Sequence, residues 1–193
     1  MDEAERKIHH RRSLRLPGYD YSQPGAYFVT VMTHGRACLF GEVVDGKMIL
    51  NAAGRIVAEI WNSLPARFPG VELGAWVVMP NHFHGTVEIH ETNVGAIHEL
   101  PLQDGNDASP QQGGDERAAR RRMTLPLVMG YFKMNTAKRI NLLGNTPGQP
   151  VWQRNYYEHI IRNDEDYRLI HLYIEANPAR WPEDRESPAY GRD

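Results

Sequence analysis

The sequence predicts an α+β sandwich, an antiparallel sheet with helices on its faces. Two kinds of segment lead there. Runs at 26–33, 72–79 and 82–89 are apolar and β-prone, with turn formers between them. Segments at 51–67, 124–140 and 165–176 place apolar residues at helical spacing. Their order is the third observation: strand, hairpin, helix, two strands, helix, strand, helix.

Taken in turn, residues 1–15 read as a basic arm and 16–25 as a stretch dense in turn formers. Residues 26–33 form the clearest strand, and their continuous apolar and β-branched character suggests a central position. Residues 39–50 read as a hairpin around Asp45-Gly46. Asn51 is a plausible N-cap for a helix to about Arg67, with Ile56, Ile60 and Leu64 on one face and Pro69-Gly70 closing it. The strands at 72–79 and 82–89 are expected to pair across the Pro80-Asn81 corner. Residues 91–122 read as an insertion, loop-like or disordered by composition. Thr124 is expected to cap a helix to about Ile140, with Leu125, Val128, Met129, Phe132 and Ile140 facing the core. The second half of 151–162 reads as the last strand. Asn163 or Asp164 caps the final helix, whose stripe is Tyr167, Ile170 and Ile174, and Pro178 ends it. The expected domain is thus 16–180, with 181–193 as a polar tail.

Composition bounds the function. The chain has 193 residues, 41% apolar and 24% charged, which suits one globular domain. No apolar run approaches the length of a membrane span, and the charged N-terminus does not read as a secretory signal. Cys38 is the single cysteine, so no internal disulfide and no cysteine-based zinc site is possible. The expected location is the cytoplasm. A net charge of −2 does not by itself indicate a nucleic-acid binder, but its distribution is uneven. Arg11, Arg12 and Arg15 belong to an N-terminal basic cluster. Arg120, Arg121 and Arg122 belong to a second, followed by Lys133, Lys138 and Arg139. These are candidate phosphate contacts; the alternative is ordinary solvated charge.

The chemistry concentrates at His82-Phe83-His84. Strand alternation turns both imidazoles to one face and Phe83 into the core, so the pair can hold one divalent ion. A plain polar sheet face is the alternative. In the last helix Tyr173 and Asn177 stand at i and i+4, so hydroxyl and amide can point at one spot. Tyrosine is a possible nucleophile and asparagine a possible oxygen ligand; a place in the core or on the helix surface is the alternative for Tyr173.

With these motifs, and with Trp152-Gln153-Arg154-Asn155-Tyr156-Tyr157-Glu158-His159 between them, the chain resembles the REP-associated tyrosine transposases, a branch of the HUH single-tyrosine nucleases. The resemblance runs from Leu16 through Trp181. It implies a ferredoxin-like (RRM-like) sandwich, Tyr173 as nucleophile, and His82, His84 and Asn177 as ligands of Mg²⁺ or Mn²⁺. It implies cleavage and rejoining of single-stranded DNA at hairpins of palindromic repeats, through a 5′-phosphotyrosine. Tyr156 and Tyr157 are rival nucleophiles. Trp152, Arg154 and Tyr156 are candidate DNA contacts, with Tyr157 able to stack on bases, though core packing is the alternative for the aromatics. A monomer and a dimer are both compatible. Two competing functions remain, a His-x-His metallohydrolase using activated water and a non-catalytic single-strand binder.

Overall fold

The computed structural model describes residues 20–21, 23–90, 123–184 and 186–187. In chain order the elements are β1 (Gly25–Met32), β2 (Gly41–Val44), β3 (Lys47–Leu50), α1 (Ala52–Asn62), α2 (Leu64–Arg67), β4 (Val71–Val78), β5 (His82–Ile89), α3 (Thr124–Gly144), β6 (Tyr157–Ile161) and α4 (Asp164–Ala176). The main sheet has the order β4-β5-β1-β6 and every neighbouring pair is antiparallel. Helices α1 and α3 make the two crossovers, from β1 to β4 and from β5 to β6, which is the connectivity of a ferredoxin-like sandwich. β1 is central, as its apolar run implies. β2 and β3 pair separately across Asp45-Gly46, both at positive φ, as a two-residue hairpin turn requires.

Alternation along the strands sorts the side chains into two layers. Tyr27, Val29, Val31, Phe83 and Val87 are fully buried in the main core with residues of α1 and α3. Trp61, Phe83 and Phe132 form its centre, with ring centroids 4.5, 5.1 and 5.2 Å apart. Gly85 makes this approach possible, because a Cβ there would fall 2.6 Å from the Trp61 ring. Gly85→Val is therefore expected to destabilise the protein by ~1–3 kcal/mol through overpacking. An unchanged calorimetric midpoint would show that the Trp61 ring can move aside.

Local chemistry sets the helix starts. Asn51 caps α1 by accepting from the Gly54 amide at 3.0 Å, and Asn163 caps α4 by accepting from the Asp166 amide at 2.8 Å. Thr124 departs from expectation. It is the first residue of α3 and Met123 occupies the cap position without a side-chain bond; the helix continues to Gly144, where Asn145 in the left-handed region ends it.

The larger correction concerns the expected tail. Residues 181–183 form a 3₁₀ turn, and residues 184, 186 and 187 fold back on the sheet. Trp181 lies against the His82 ring at 5.9 Å, and the Asn81 amide donates to the Glu186 carbonyl at 2.7 Å. An aromatic contact and a partly buried hydrogen bond thus hold a segment whose polar composition suggested solvent. Among the described residues, no helix is long and apolar enough to cross a membrane.

Candidate active site

On the sheet face opposite Phe83, His82 and His84 stand with ring centroids 4.5 Å apart, 0% and 4% exposed. Each ring is oriented through its Nδ1. Asn81 Nδ2 donates to the carbonyls of Arg36 and Glu186, which leaves Asn81 Oδ1 as the acceptor facing His82 Nδ1 at 2.9 Å. His82 therefore carries its proton on Nδ1 and presents the Nε2 lone pair. Thr30, directly opposite His84 in the sheet register, places its hydroxyl 2.8 Å from His84 Nδ1. Phe28 stacks on His84 at 5.4 Å.

Helix α4 supplies the rest. Tyr167, Ile170 and Ile174 pack toward the sheet, and the Tyr167 hydroxyl donates to Glu88 at 2.8 Å, which fixes the rotation of the helix. That rotation puts Tyr173 Oη 3.3 Å from His84 Nε2 while the ring stays 42% exposed. Asn177, one turn on, is buried and close enough for its amide to act on both His82 and Tyr173. Tyr173, Asn177, His84 and Thr30 line an open cleft of about 720 Å³.

Burial dominates the protonation states. It lowers His82 to about 4, although the Asp184 charge and Asn177 pull upward. It holds His84 well below the ordinary imidazole range, with His82 adding to the effect. It raises the Tyr173 phenol, helped by the charges of Asp184 and Glu186 and opposed by Asn177. Both imidazoles are thus neutral at physiological pH, the form that ligates metals. His82 Nε2, Asn177 Oδ1 and Asp184 Oδ2 are buried acceptors without a hydrogen-bond partner among the described residues. Buried acceptors with no donor suit a divalent cation, and His82, His84 and Asn177 are the residues that could hold one here.

The same burial predicts acid lability of the chelator-treated protein. The unfolded chain protonates His82 near its ordinary 6.5, the folded chain only near 4. Between those values the unfolded state binds more protons, so stability falls as pH is lowered through the window. His82 alone contributes ~3 kcal/mol. Urea denaturation at both ends of the window would show this fall, and a flat profile would contradict it.

No protein-family model matches the chain. It is 39% identical over 178 residues to an uncharacterized protein of Haemophilus influenzae, across 92% of this chain and 93% of that one. The chain belongs to that protein's family. In solved structures it is similar to a REP-associated tyrosine transposase bound to a REP hairpin, with 21% identity, TM-score 0.48, and 86% of this chain and 73% of that one covered. It is also similar to a candidate transposase of Deinococcus radiodurans, with 17% identity, TM-score 0.44, and 83% and 95% covered.

The remaining expected contacts of this family member separate clearly. Arg11, Arg12, Arg15, Arg120, Arg121, Arg122 and the insertion 91–122 lie outside the described residues. Trp152 is a correction: it is 7% exposed, packs on Phe40 and Phe132, and donates its indole N–H to Thr136 at 2.7 Å, so it is core and cannot stack on a base. Lys133 is tied to the loop before β6, its ammonium donating to the Gln153 and Arg154 carbonyls at 2.6 and 2.8 Å. Arg139 pairs with Glu59 at 2.6 Å. Together with exposed Lys138 they lie on α3, whose layer covers the sheet face away from the histidines. Arg154 is exposed, whereas Tyr156 packs on the core at the cleft's edge. Tyr157 is 47% exposed and lines the cleft.

Sequence reading missed Thr30, the hydrogen-bonding role of Asn81, and Asp184. The Pro-Asn corner before the histidines was the available signal for Asn81; Asp184 had none. At the other end of β5, Glu72, Glu88 and His90 bring their ligand atoms within 4.8 Å of one another, a second group able to accept a cation.

Proposed function

We propose that this chain cleaves and rejoins single-stranded DNA through a covalent tyrosine intermediate, as a REP-associated tyrosine transposase. The observation that carries the proposal is the Tyr173 hydroxyl 3.3 Å from His84 Nε2, with Asn177 one helical turn away. Two motifs far apart in the chain meet at one point, which supports the roles that the resemblance gives them.

His82, His84 and Asn177 would hold Mg²⁺ or Mn²⁺, which supplies Lewis-acid stabilisation of charge on a phosphate oxygen. The protein's own groups do the rest. Tyr173 is the nucleophile: its Oη–P bond forms as the P–O3′ bond breaks, giving a 5′-phosphotyrosine and a 3′-hydroxyl, the phenol proton being balanced by the one the leaving oxygen gains. Reversal by a 3′-hydroxyl rejoins the strand without ATP. His84 Nε2 has a single lone pair, so the hydroxyl it holds here and a cation are alternative partners. With its phenol raised by burial, Tyr173 stays protonated beside His84 until that exchange. Tyr157, exposed beside Phe28 in the cleft, is the aromatic best placed to stack on an unpaired base.

The substrate in this reading is a hairpin of palindromic repeats with an unpaired flank, met at the nucleoid in the cytoplasm. The test incubates the full chain with labelled single-stranded hairpins from repeats flanking its own gene, with Mg²⁺, Mn²⁺ or chelator. A metal-dependent, denaturant-resistant adduct is expected. Cleavage without an adduct would favour attack by water, and binding without cleavage a non-catalytic binder.

A further inference from the structure

We propose that Asp184 is a ligand of the same divalent cation, delivered by the turn that folds back after α4; this rests on the reading of His82 and His84 as a cation site. Asp184 Oδ2 lies 3.8 Å from His82 Nε2. Both atoms are buried and neither has a hydrogen-bond partner among the described residues. Because the His82 proton is committed to Asn81 through Nδ1, the Nε2 lone pair faces the carboxylate with no donor between them. Two buried acceptors held face to face are costly unless something positive joins them. Ligands of one Mg²⁺-sized ion at ~2.1 Å lie about 3 Å apart when adjacent and about 4.2 Å when opposite. The observed 3.8 Å lies between these two spacings, nearer the wider one.

The carboxylate is also oriented as a ligand would be. Its other oxygen, Oδ1, accepts from the Glu186 amide at 2.8 Å, which turns Oδ2 toward His82. Asn81 ties the two halves together: its Oδ1 accepts from His82 and its Nδ2 donates to the Glu186 carbonyl at 2.7 Å. Arg36 pairs with Glu186 at 3.1 Å and holds the turn from outside. One amide thus orients an imidazole ligand and the backbone carrying the carboxylate, the kind of outer support that metal sites use. Two imidazoles, an amide oxygen and a carboxylate form a mixed set suited to Mn²⁺, with one negative charge to offset the ion; His82, His84 and Asp184 must still draw closer around it, since their ligand atoms do not all lie within 4.8 Å of one another as those of Glu72, Glu88 and His90 do.

The test is Mn²⁺ binding without DNA to the full chain carrying Glu72→Gln, which disables the second cation group, followed by the paramagnetic resonance signal of free Mn²⁺ and by calorimetry. Asp184→Asn is expected to weaken Mn²⁺ binding by about tenfold or more. In chelator the same variant should be at least as stable as the parent, since the introduced side-chain amide can donate to His82 Nε2. Asp184→Ser gives the same binding readout if the first variant misfolds. Glu59→Gln should leave Mn²⁺ affinity unchanged, because Glu59 pairs with Arg139 in the layer away from the histidines. Unaltered Mn²⁺ affinity in Asp184→Asn would overturn the proposal whatever happens to DNA cleavage, since a turn that merely covers the cleft predicts that result. Absence of Mn²⁺ binding by the parent, or full binding by His84→Ala, would instead overturn the histidine reading on which the proposal rests.

Discussion

Tyr173→Phe is expected to abolish the covalent DNA adduct and to lower cleavage by about a thousandfold or more, the size of effect seen when a nucleophile is removed. The fold should survive. The Tyr173 ring is 42% exposed and its hydroxyl contacts His84, so the loss in stability is expected to stay within ~1 kcal/mol. The rival tyrosines differ in position. Tyr157 shares the histidine face but pairs with Thr30 on the far side of β1 from His84, two strand spacings or ~10 Å away in the sheet. Tyr156 packs on the core, and Tyr167 is bound to Glu88 with its phenol raised by burial and by that carboxylate. Tyr156→Phe and Tyr157→Phe should therefore retain the adduct. An adduct that persists in Tyr173→Phe and vanishes in Tyr157→Phe would transfer the role to β6.

What the sequence disclosed is what local geometry controls. The two-residue period of a strand places His82 and His84 together and Phe83 apart, whatever the fold around them. The i, i+4 rule places Tyr173 with Asn177, and the Asn51 and Asn163 caps follow from side-chain chemistry three residues away. The order of elements sufficed for the sandwich. Features that depend on distant partners were not legible. Trp152 sits among polar residues in sequence, yet its indole finds Thr136 on a different element, and burial follows from that meeting. Lys133 looks like a surface cation until three carbonyls of residues 153–155 surround its ammonium. Asp184 enters the site only because the chain reverses beyond Asn177-Pro178 and Trp181 finds the His82 ring. Nothing in the composition of residues 181–187 separates such a turn from a solvated end.

His84→Ala is expected to cost cleavage as much as loss of the nucleophile, and to leave a second mark that Tyr173→Phe cannot. His84 is buried, stacked on Phe28 and bonded to Thr30, so its removal near neutral pH should destabilise the protein by ~1–3 kcal/mol through lost contacts and an orphaned hydroxyl. Acid should narrow that deficit. The folded parent keeps His84 neutral well below the ordinary imidazole range because burial, and then the neighbouring His82, disfavour its charge. The unfolded chain protonates the same residue first, so His84 makes the parent lose stability as pH falls, and alanine deletes that contribution. Denaturant midpoints measured for parent, His84→Ala and Tyr173→Phe across the imidazole range should therefore run parallel for the first and third and shallower for the second. Identical slopes would refute a buried neutral imidazole at position 84. A shallower slope with cleavage retained would keep the electrostatics and remove His84 from the chemistry, leaving Tyr173 to act without the group it touches.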